Sequence, residues 1–239
     1  MKTWRTARGT RVIRLLAGRS NVFLVSLAGR NLLVDSGPAW NGRALERRLR
    51  RLGVARLDAL VLTHAHFDHA GSAARLQQEF AAPVIVQRAE AGDLARGEIV
   101  LPDGTSRLAR FLVARLRPLA AGRARCAPCP ADVLADECLD LAAYGLRAHV
   151  LHTPGHTPGS QSVIVDDEIA LVGDALFGVL PGSAFPPFAM DAARLVESWG
   201  KLLATGCRLF LPAHGTAVSR ALLERDYHGR KAASPAARR

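Results

Sequence analysis

The apolar positions fall into short runs of two kinds, and their alternation is the first thing the sequence states. Val12–Leu16, Asn21–Leu27 and Asn31–Asp35 are near-continuous apolar stretches of strand length, divided by Gly18-Arg19-Ser20-Asn21 and by a turn at Ala28-Gly29. Ser36-Gly37-Pro38 then breaks the pattern. Arg43–Leu52 changes period: Leu45, Leu49 and Leu52 recur on one helical face while Arg47, Arg48, Arg50 and Arg51 cover the other, and Gly53 stops it. Leu57–Thr63 predicts a buried strand, Gly71–Phe80 a helix presenting Ala74, Leu76 and Phe80, and Pro83–Val86 a short strand. Later come strands at Leu146–Leu151, Ser162–Asp166 and Ile169–Val172, and a helix over Asp191–Ala204 that Asp191 can cap. A strand over Arg208–Leu211 leads to His214, and a terminal helix spans Ala221–Tyr227. Strands alternating with helices imply an α/β fold of packed layers.

Between these regions, residues 88–145 carry weaker signals. Ala89–Ala95 and Leu108–Leu116 suggest helices, and Leu119–Pro130 an irregular loop. The length of 239 residues suits one domain, drawn over 1–228 with a helical and loop insertion at about 88–145. Residues 229–239, rich in Arg, Ala and Pro, are expected to be a disordered basic tail.

Charge and cysteine content narrow the classes. The formal net charge is +11, almost all from arginine spread along the chain. Aromatic residues make up only 5% and do not interleave with the basic clusters, which argues against a single-stranded nucleic-acid platform. Four cysteines are too few for a disulfide scaffold in a chain this long. Cys126 and Cys129 have the spacing of a redox pair or half a metal site, yet sit in a loop beside Pro128 and Pro130. No apolar run is long enough for a membrane span, and Arg11, Arg14 and Arg19 interrupt any signal-peptide core. A cytoplasmic location is the resulting expectation.

The chemistry concentrates where the strand over Leu57–Thr63 ends. His64, His66, Asp68 and His69 follow within six residues, a density of imidazole and carboxylate suited to a borderline divalent ion such as zinc. His64 and His66, two apart in an extended segment, share a face; Asp68 and His69 point elsewhere and can serve a second ion. Three later stretches each bring one more ligand-type residue to the end of an apolar run: Thr153–Gly159 with His156, Leu171–Ala175 with Asp174, and Leu211–Gly215 with His214.

In this order and context the set resembles the metallo-β-lactamase fold superfamily, from about Val34-Asp35-Ser36-Gly37 to His214. The resemblance implies a four-layer αββα sandwich. It also implies that His64, His66 and His156 hold one divalent metal ion, Asp68, His69 and His214 a second, and Asp174 both. Zinc is the expected metal, with iron or manganese as alternatives. Two ions sharing a water lower its pKa toward about 7 and give a bridging hydroxide as nucleophile, which Asp68 can orient or relieve of its proton. Asp35 sits where the superfamily has an aspartate supporting a ligand or loop, and a surface turn is the competing reading. His149 and His152 fall outside the pattern and are expected to make strand-end hydrogen bonds, and His228 to be solvated.

Aspartate at 174 and histidine at 66 separate the chain from many true β-lactamases and from the diiron–flavin branch. The motifs look most like glyoxalase II, persulfide dioxygenases and acyl-homoserine lactonases. The expected activity is hydrolysis of a small ester, thioester or lactone as a small-molecule substrate. The alternatives are a mononuclear iron persulfide dioxygenase using His64, His66 and Asp174, or an RNase Z-like phosphodiesterase. Arg96, Arg107, Arg110, Arg115 and Arg117 can bind an anionic substrate from the insertion, or simply form a solvated helix face. The stretch Phe177–Phe188 can line the pocket mouth.

Overall fold

The computed structural model describes residues 1–16, 20–100, 102–105, 111, 113, 115 and 126–233. Two mixed sheets lie face to face. The first runs in the order β1 (Lys2–Arg5), β2 (Arg11–Leu16), β3 (Val22–Leu27), β4 (Arg30–Val34), β5 (Ala59–Val61), β6 (Val84–Gln87), β7 (Val133–Ala135). The second runs β13 (Val218–Ser219), β12 (Leu209–Gly215), β11 (Ile169–Gly178), β10 (Gln161–Val165), β9 (Ala148–His152), β8 (Cys138–Asp140). In the first sheet the antiparallel meander β1–β4 gives way to the parallel strands β5, β6 and β7.

Side-chain alternation along these strands explains why their sequences read as continuous apolar runs. Val12, Val25, Leu32, Val34, Val61 and Ile85 face the second sheet's Val150, Val163, Leu171 and Leu211 in the central layer. The intervening Ile13, Leu24, Leu33, Leu60, Val84 and Val86 face outward onto helices α1 (Gly42–Arg51) and α3 (Ala73–Phe80), through Leu45, Leu49, Leu76 and Phe80. On the far side Ile164, Ala170, Val172 and Phe210 meet Leu195, Trp199 and Leu202 of α5 (Ala192–Ala204) and Leu223 of α6 (Arg220–Ala233). A strand buried on both faces needs no polar alternation. The result is the expected layering of helices, sheet, sheet, helices.

Several boundaries differ from the sequence reading. The helix read over Gly71–Phe80 begins two residues later, as α3, and a separate single turn, α2 (Phe67–Ala70), precedes it, with Gly71 and Ser72 between. Gly71 lies so close to backbone that a Cβ there would meet the Phe67 carbonyl oxygen at 2.3 Å. Leu52 does not face inward: it follows α1 and is exposed. A short α4 (Ala91–Arg96) replaces the helix read over Ala89–Ala95. β11 continues past Val172 to Gly178. The terminal helix runs through Gly229 to Ala233, so the first five residues assigned to a disordered tail are helical, with the Arg230 guanidinium against the Phe185 ring. The rest of that tail, and most of Leu108–Leu116 and Leu119–Pro130, lie outside the described residues; Phe111, Val113 and Arg115 are helical. Asp191 caps α5 as expected, accepting from the backbone N–H groups of Ala193 and Arg194 at 3.0 Å.

Candidate metal centre

All seven candidate ligands converge at one edge of the sandwich, where β4, β5, β11 and β12 end or bend. His64, His66 and His156 present ring nitrogens within 4.8 Å of one another; so do ligand atoms of His64, His69 and Asp174, and of Asp68, His69 and His214. His64, His69, His156 and Asp174 are buried, while Asp68 and His214 are 14% and 18% exposed and mark the open side.

Three of the histidines are anchored through their outer nitrogens. His66 Nε2 lies 2.9 Å from the Val100 carbonyl oxygen, His156 Nδ1 3.0 Å from that of Phe188, and His69 Nδ1 2.9 Å from Asp35 Oδ2. A carbonyl or carboxylate only accepts, so these nitrogens carry the hydrogen. Burial, followed by the neighbouring His156 and His69, lowers His66 to about 3, and burial likewise lowers His156. Both rings are therefore neutral, and the inward His66 Nδ1 and His156 Nε2, 3.1 Å apart, are two bare lone pairs facing each other. That contact is no hydrogen bond and is repulsive unless a cation lies between. His64 Nε2 closes the triad 2.9 Å from His66 Nδ1. A tetrahedral zinc with bonds of about 2.0–2.1 Å sets its nitrogens roughly 3.3 Å apart, so the spacing fits.

The second half shows the same deficit. His69 Nε2 and Asp174 Oδ1 are buried and have no hydrogen-bond partner, although buried polar atoms rarely go unpaired. They sit 3.5 Å apart. Asp174 Oδ2 is 3.4 Å from both His156 Nε2 and His214 Nε2, so one carboxylate oxygen faces both triads. Asp68 Oδ2 is 3.4 Å from His214 Nε2. Burial alone would lower His69, but Asp174, Asp35 and Asp68 together outweigh it and push it up to about 10. Burial raises Asp174, and His214, His69 and His156 reverse this and hold it well below the usual carboxylate range. Cation and anion thus stabilise each other in a pocket whose donors suit divalent ions.

Local sequence explains the placement. Asp35, at φ +62° just past β4, is buried and accepts from the Thr63 N–H at 2.8 Å and the Thr63 hydroxyl at 3.0 Å, while its other oxygen takes His69. It is therefore buried and bonded to His69 and Thr63, not a surface turn. Any side chain at Gly173 is disfavoured on two counts: φ is +51°, and a Cβ would meet Thr63 Cβ and Oγ1 at 2.6 Å. The register between β11 and β12 shifts on both sides of it, and the bulge turns Asp174 into the cluster.

Glu90 is a supporting residue that sequence reasoning missed. Buried, it accepts from the Ala65 N–H through one oxygen and from the Gly159 N–H through the other, both at 3.0 Å, tying the His64–His66 loop to the His156 loop. Asn21 similarly grips the end of β12, donating to the carbonyls of Pro212 and Gly215. Ser36 accepts from Ser72 and donates to the His69 carbonyl. A lone glutamate or asparagine beside an apolar run carries no signal of this; only the fold brings it to the site.

Other candidates separate cleanly. His152 bonds to Glu137 and the Pro158 carbonyl at a strand end, and His228 is exposed beside Tyr227. Cys126 and Cys129 are free and buried, and burial pushes their thiols up, Cys129 to about 11. Among the described residues no candidate metal set includes them. Arg96 is engaged by Asp93 and Glu98, and Arg107, Arg110 and Arg117 lie outside the described residues. Phe177 stacks on His214 with centroids 4.7 Å apart. No helix among the described residues is long and apolar enough to cross a membrane.

Known proteins share this arrangement of sequence and fold. A protein of Methanocaldococcus jannaschii named a probable metallo-hydrolase is 29% identical over 160 residues, covering 66% of this chain and 68% of that one. A hydroxyacylglutathione hydrolase of Haemophilus influenzae is 28% identical over 151 residues, 62% of this chain and 64% of its own length. A solved metallo-beta-lactamase of Cronobacter sakazakii superposes with a TM-score of 0.68 over 98% of this chain and 92% of that one; at 20% identity the likeness is one of fold. The family model of the metallo-beta-lactamase superfamily matches residues 15–214, which spans every candidate ligand from His64 to His214, and the chain is a member of that superfamily.

Proposed function

We propose that this chain is a hydrolase that loads two divalent ions, most naturally zinc, and cleaves a small ester, thioester or lactone. The observation that carries the reading is the convergence of seven His and Asp ligand atoms in two triads that Asp174 faces together, with His69 Nε2 and Asp174 Oδ1 buried there without a hydrogen bond. His64, His66 and His156 would hold one ion, Asp68, His69 and His214 the other, and Asp174 both. Two converging triads favour two ions over the single iron of a dioxygenase.

When bound, such a pair supplies Lewis acidity for the scissile carbonyl and lowers the pKa of a coordinated water. The protein's own part is positional. Asp68, at the open side beside His214, orients the attacking water and takes its proton on a carboxylate oxygen. Asp35 keeps the hydrogen of His69 on Nδ1, and the Val100 and Phe188 carbonyls do the same for the outer nitrogens of His66 and His156. Phe177 packs against the His214 ring and limits its rotation. The relative named for hydroxyacylglutathione, a thioester, supports a carbonyl-centred hydrolysis.

The test is a panel of neutral thioesters, lactones and esters offered to zinc-reconstituted protein. Hydrolysis abolished by a chelator, and lost together with metal in Asp174→Ala, is expected. Zinc-loaded protein inert towards the whole panel, with iron-loaded protein consuming oxygen on a thiol persulfide, would replace the hydrolase by the dioxygenase.

A further inference from the structure

Ten large apolar side chains are substantially exposed among the described residues, and six of them, Trp40, Val100, Val179, Leu180, Phe188 and Met190, belong to segments that hold the ligand cluster. A scattered exposed Leu or Val means nothing; a ring of them around one site does. Val100 and Phe188 lend their carbonyls to His66 and His156, so their side chains stand beside those ligands. Met190 donates its N–H to the His156 carbonyl at 3.1 Å. Val179 and Leu180 follow Gly178, which pairs with Gly215 directly after His214; Val179 is 57% and Leu180 64% exposed. Trp40, 64% exposed, sets its ring 6.2 Å from Phe67, the residue between His66 and Asp68. Three stretches of chain distant in sequence, at residues 40, 100 and 179–190, therefore each place apolar surface beside one polar cluster.

The lining beside one ligand, His66, points the same way. Beside His66 lies a cavity of about 100 Å³ walled by Ala65, Val100, Pro158 and Met190 on its apolar side and by Glu90, Asp93 and Glu98 on the other. Arg96, which does not line the cavity, is paired with Asp93 and Glu98 at 2.6 Å each. The cavity lining carries no Lys or Arg among the described residues, so a carboxylate-bearing substrate gains no ion pair there, whereas an uncharged alkyl group meets apolar surface that gains by being covered.

Resting on the hydrolase reading, we propose that the substrate carries an uncharged, apolar acyl group of medium length that lies across this rim, and that the charged glutathionyl group is disfavoured. Trp40, Leu180 and Met190 are the specificity-determining contacts.

The experiment uses the zinc-loaded full chain and neutral N-acetylcysteamine thioesters with acyl chains from two to ten carbons. It adds one matched pair, the same lactoyl group on N-acetylcysteamine and on glutathione. Burial of successive methylenes predicts kcat/KM rising roughly fourfold per carbon over the first several carbons, and the neutral member of the pair turning over faster. Trp40→Ser and Met190→Ser should flatten the series, the loss growing with chain length while zinc content stays at the wild-type level. A flat wild-type series, or preference for the glutathione thioester, overturns the inference. So does a rim that proves to be covered by a second copy: wild type sedimenting as a dimer that Leu180→Ser dissolves, with an unchanged chain-length slope. Absence of hydrolysis towards every thioester by protein carrying two zinc ions would instead overturn the hydrolase reading on which the inference rests.

Discussion

Asp35→Asn is the substitution that most sharply separates a supporting carboxylate from a merely buried one. The variant is nearly isosteric, and asparagine tolerates the φ of +62° that Asp35 adopts, so backbone strain is not introduced. What changes is the hydrogen-bond inventory. Asp35 offers acceptors on both sides, to the Thr63 N–H at 2.8 Å and to His69 Nδ1 at 2.9 Å; an amide offers one acceptor and one donor. If its oxygen serves Thr63, its NH₂ faces His69 Nδ1 and drives the imidazole hydrogen onto Nε2, the nitrogen aimed into the cluster. If it turns the other way, the Thr63 N–H is left facing a donor, at a cost of about 1–3 kcal/mol for a buried unpaired group. Supporting partners of metal-ligating histidines are typically worth 10–100-fold in affinity, about 1.4–2.7 kcal/mol. Competition titration of zinc against a chromophoric chelator at pH 7.5 should therefore show a 10–100-fold weaker second ion, with the ion held by His64, His66 and His156 nearly unaffected. Cobalt substitution, read by its visible absorption, reports the same site independently. Both affinities within twofold of wild type would refute the argument that Asp35 acts on His69.

Other consequences can be checked separately. Gly173→Ala drives a Cβ to 2.6 Å from Thr63 at a positive φ and should cost about 1–3 kcal/mol, as overpacking does, seen as a lower melting temperature and weaker metal binding; an unchanged melt contradicts the close approach. Glu90→Gln leaves one of the Ala65 and Gly159 N–H groups facing an amide donor and should shrink the zinc-induced rise in melting temperature, whereas equal loss with and without zinc would make it a packing residue only. Metal loading at pH 8 should release at least one proton, because His69, pushed up to about 10, must give up its hydrogen to act as a ligand; titration in indicator solution without proton release contradicts this. Metal-free protein should lose stability as pH falls from 6.5 towards 3, by up to about 1.4 kcal/mol per unit, because the unfolded chain protonates His66 and the native one, at about 3, does not. The His69 contribution has the opposite sense, complete below 6.5 and lost as pH rises through about 10. Melts that climb steadily down to pH 4 would contradict the His66 assignment.

Much of the architecture was legible because strands buried on both faces write themselves as apolar runs. Val22–Leu27, Gln161–Val165 and the capped helix over Ala192–Ala204 all stand close to where their patterns put them. The short strands Lys2–Arg5, Val133–Ala135, Cys138–Asp140 and Val218–Ser219 were invisible, since they have few residues, little alternation, and exist only by pairing with a neighbour. The apolar run Ile169–Val172 shows only the first part of Ile169–Gly178, because the strand continues through Gly173, the bulge that seats Asp174. The seven ligand-type residues were legible by chemical type and strand-end position, and the structure brings them together. Their supports were less so: Asp35 was open between support and surface turn, and Glu90, Thr63 and Asn21 act through backbone groups remote in sequence, which no motif encodes.

The central claim is that these donors exist to hold a pair of cations. A zinc-edge anomalous difference map from crystals of zinc-loaded protein addresses it directly. Two peaks are predicted, one within bonding distance of His64, His66 and His156, the other of Asp68, His69 and His214, with Asp174 touching both. A map without a peak among these residues, or with a single peak that leaves His69 Nε2 and His214 unengaged, would contradict the account.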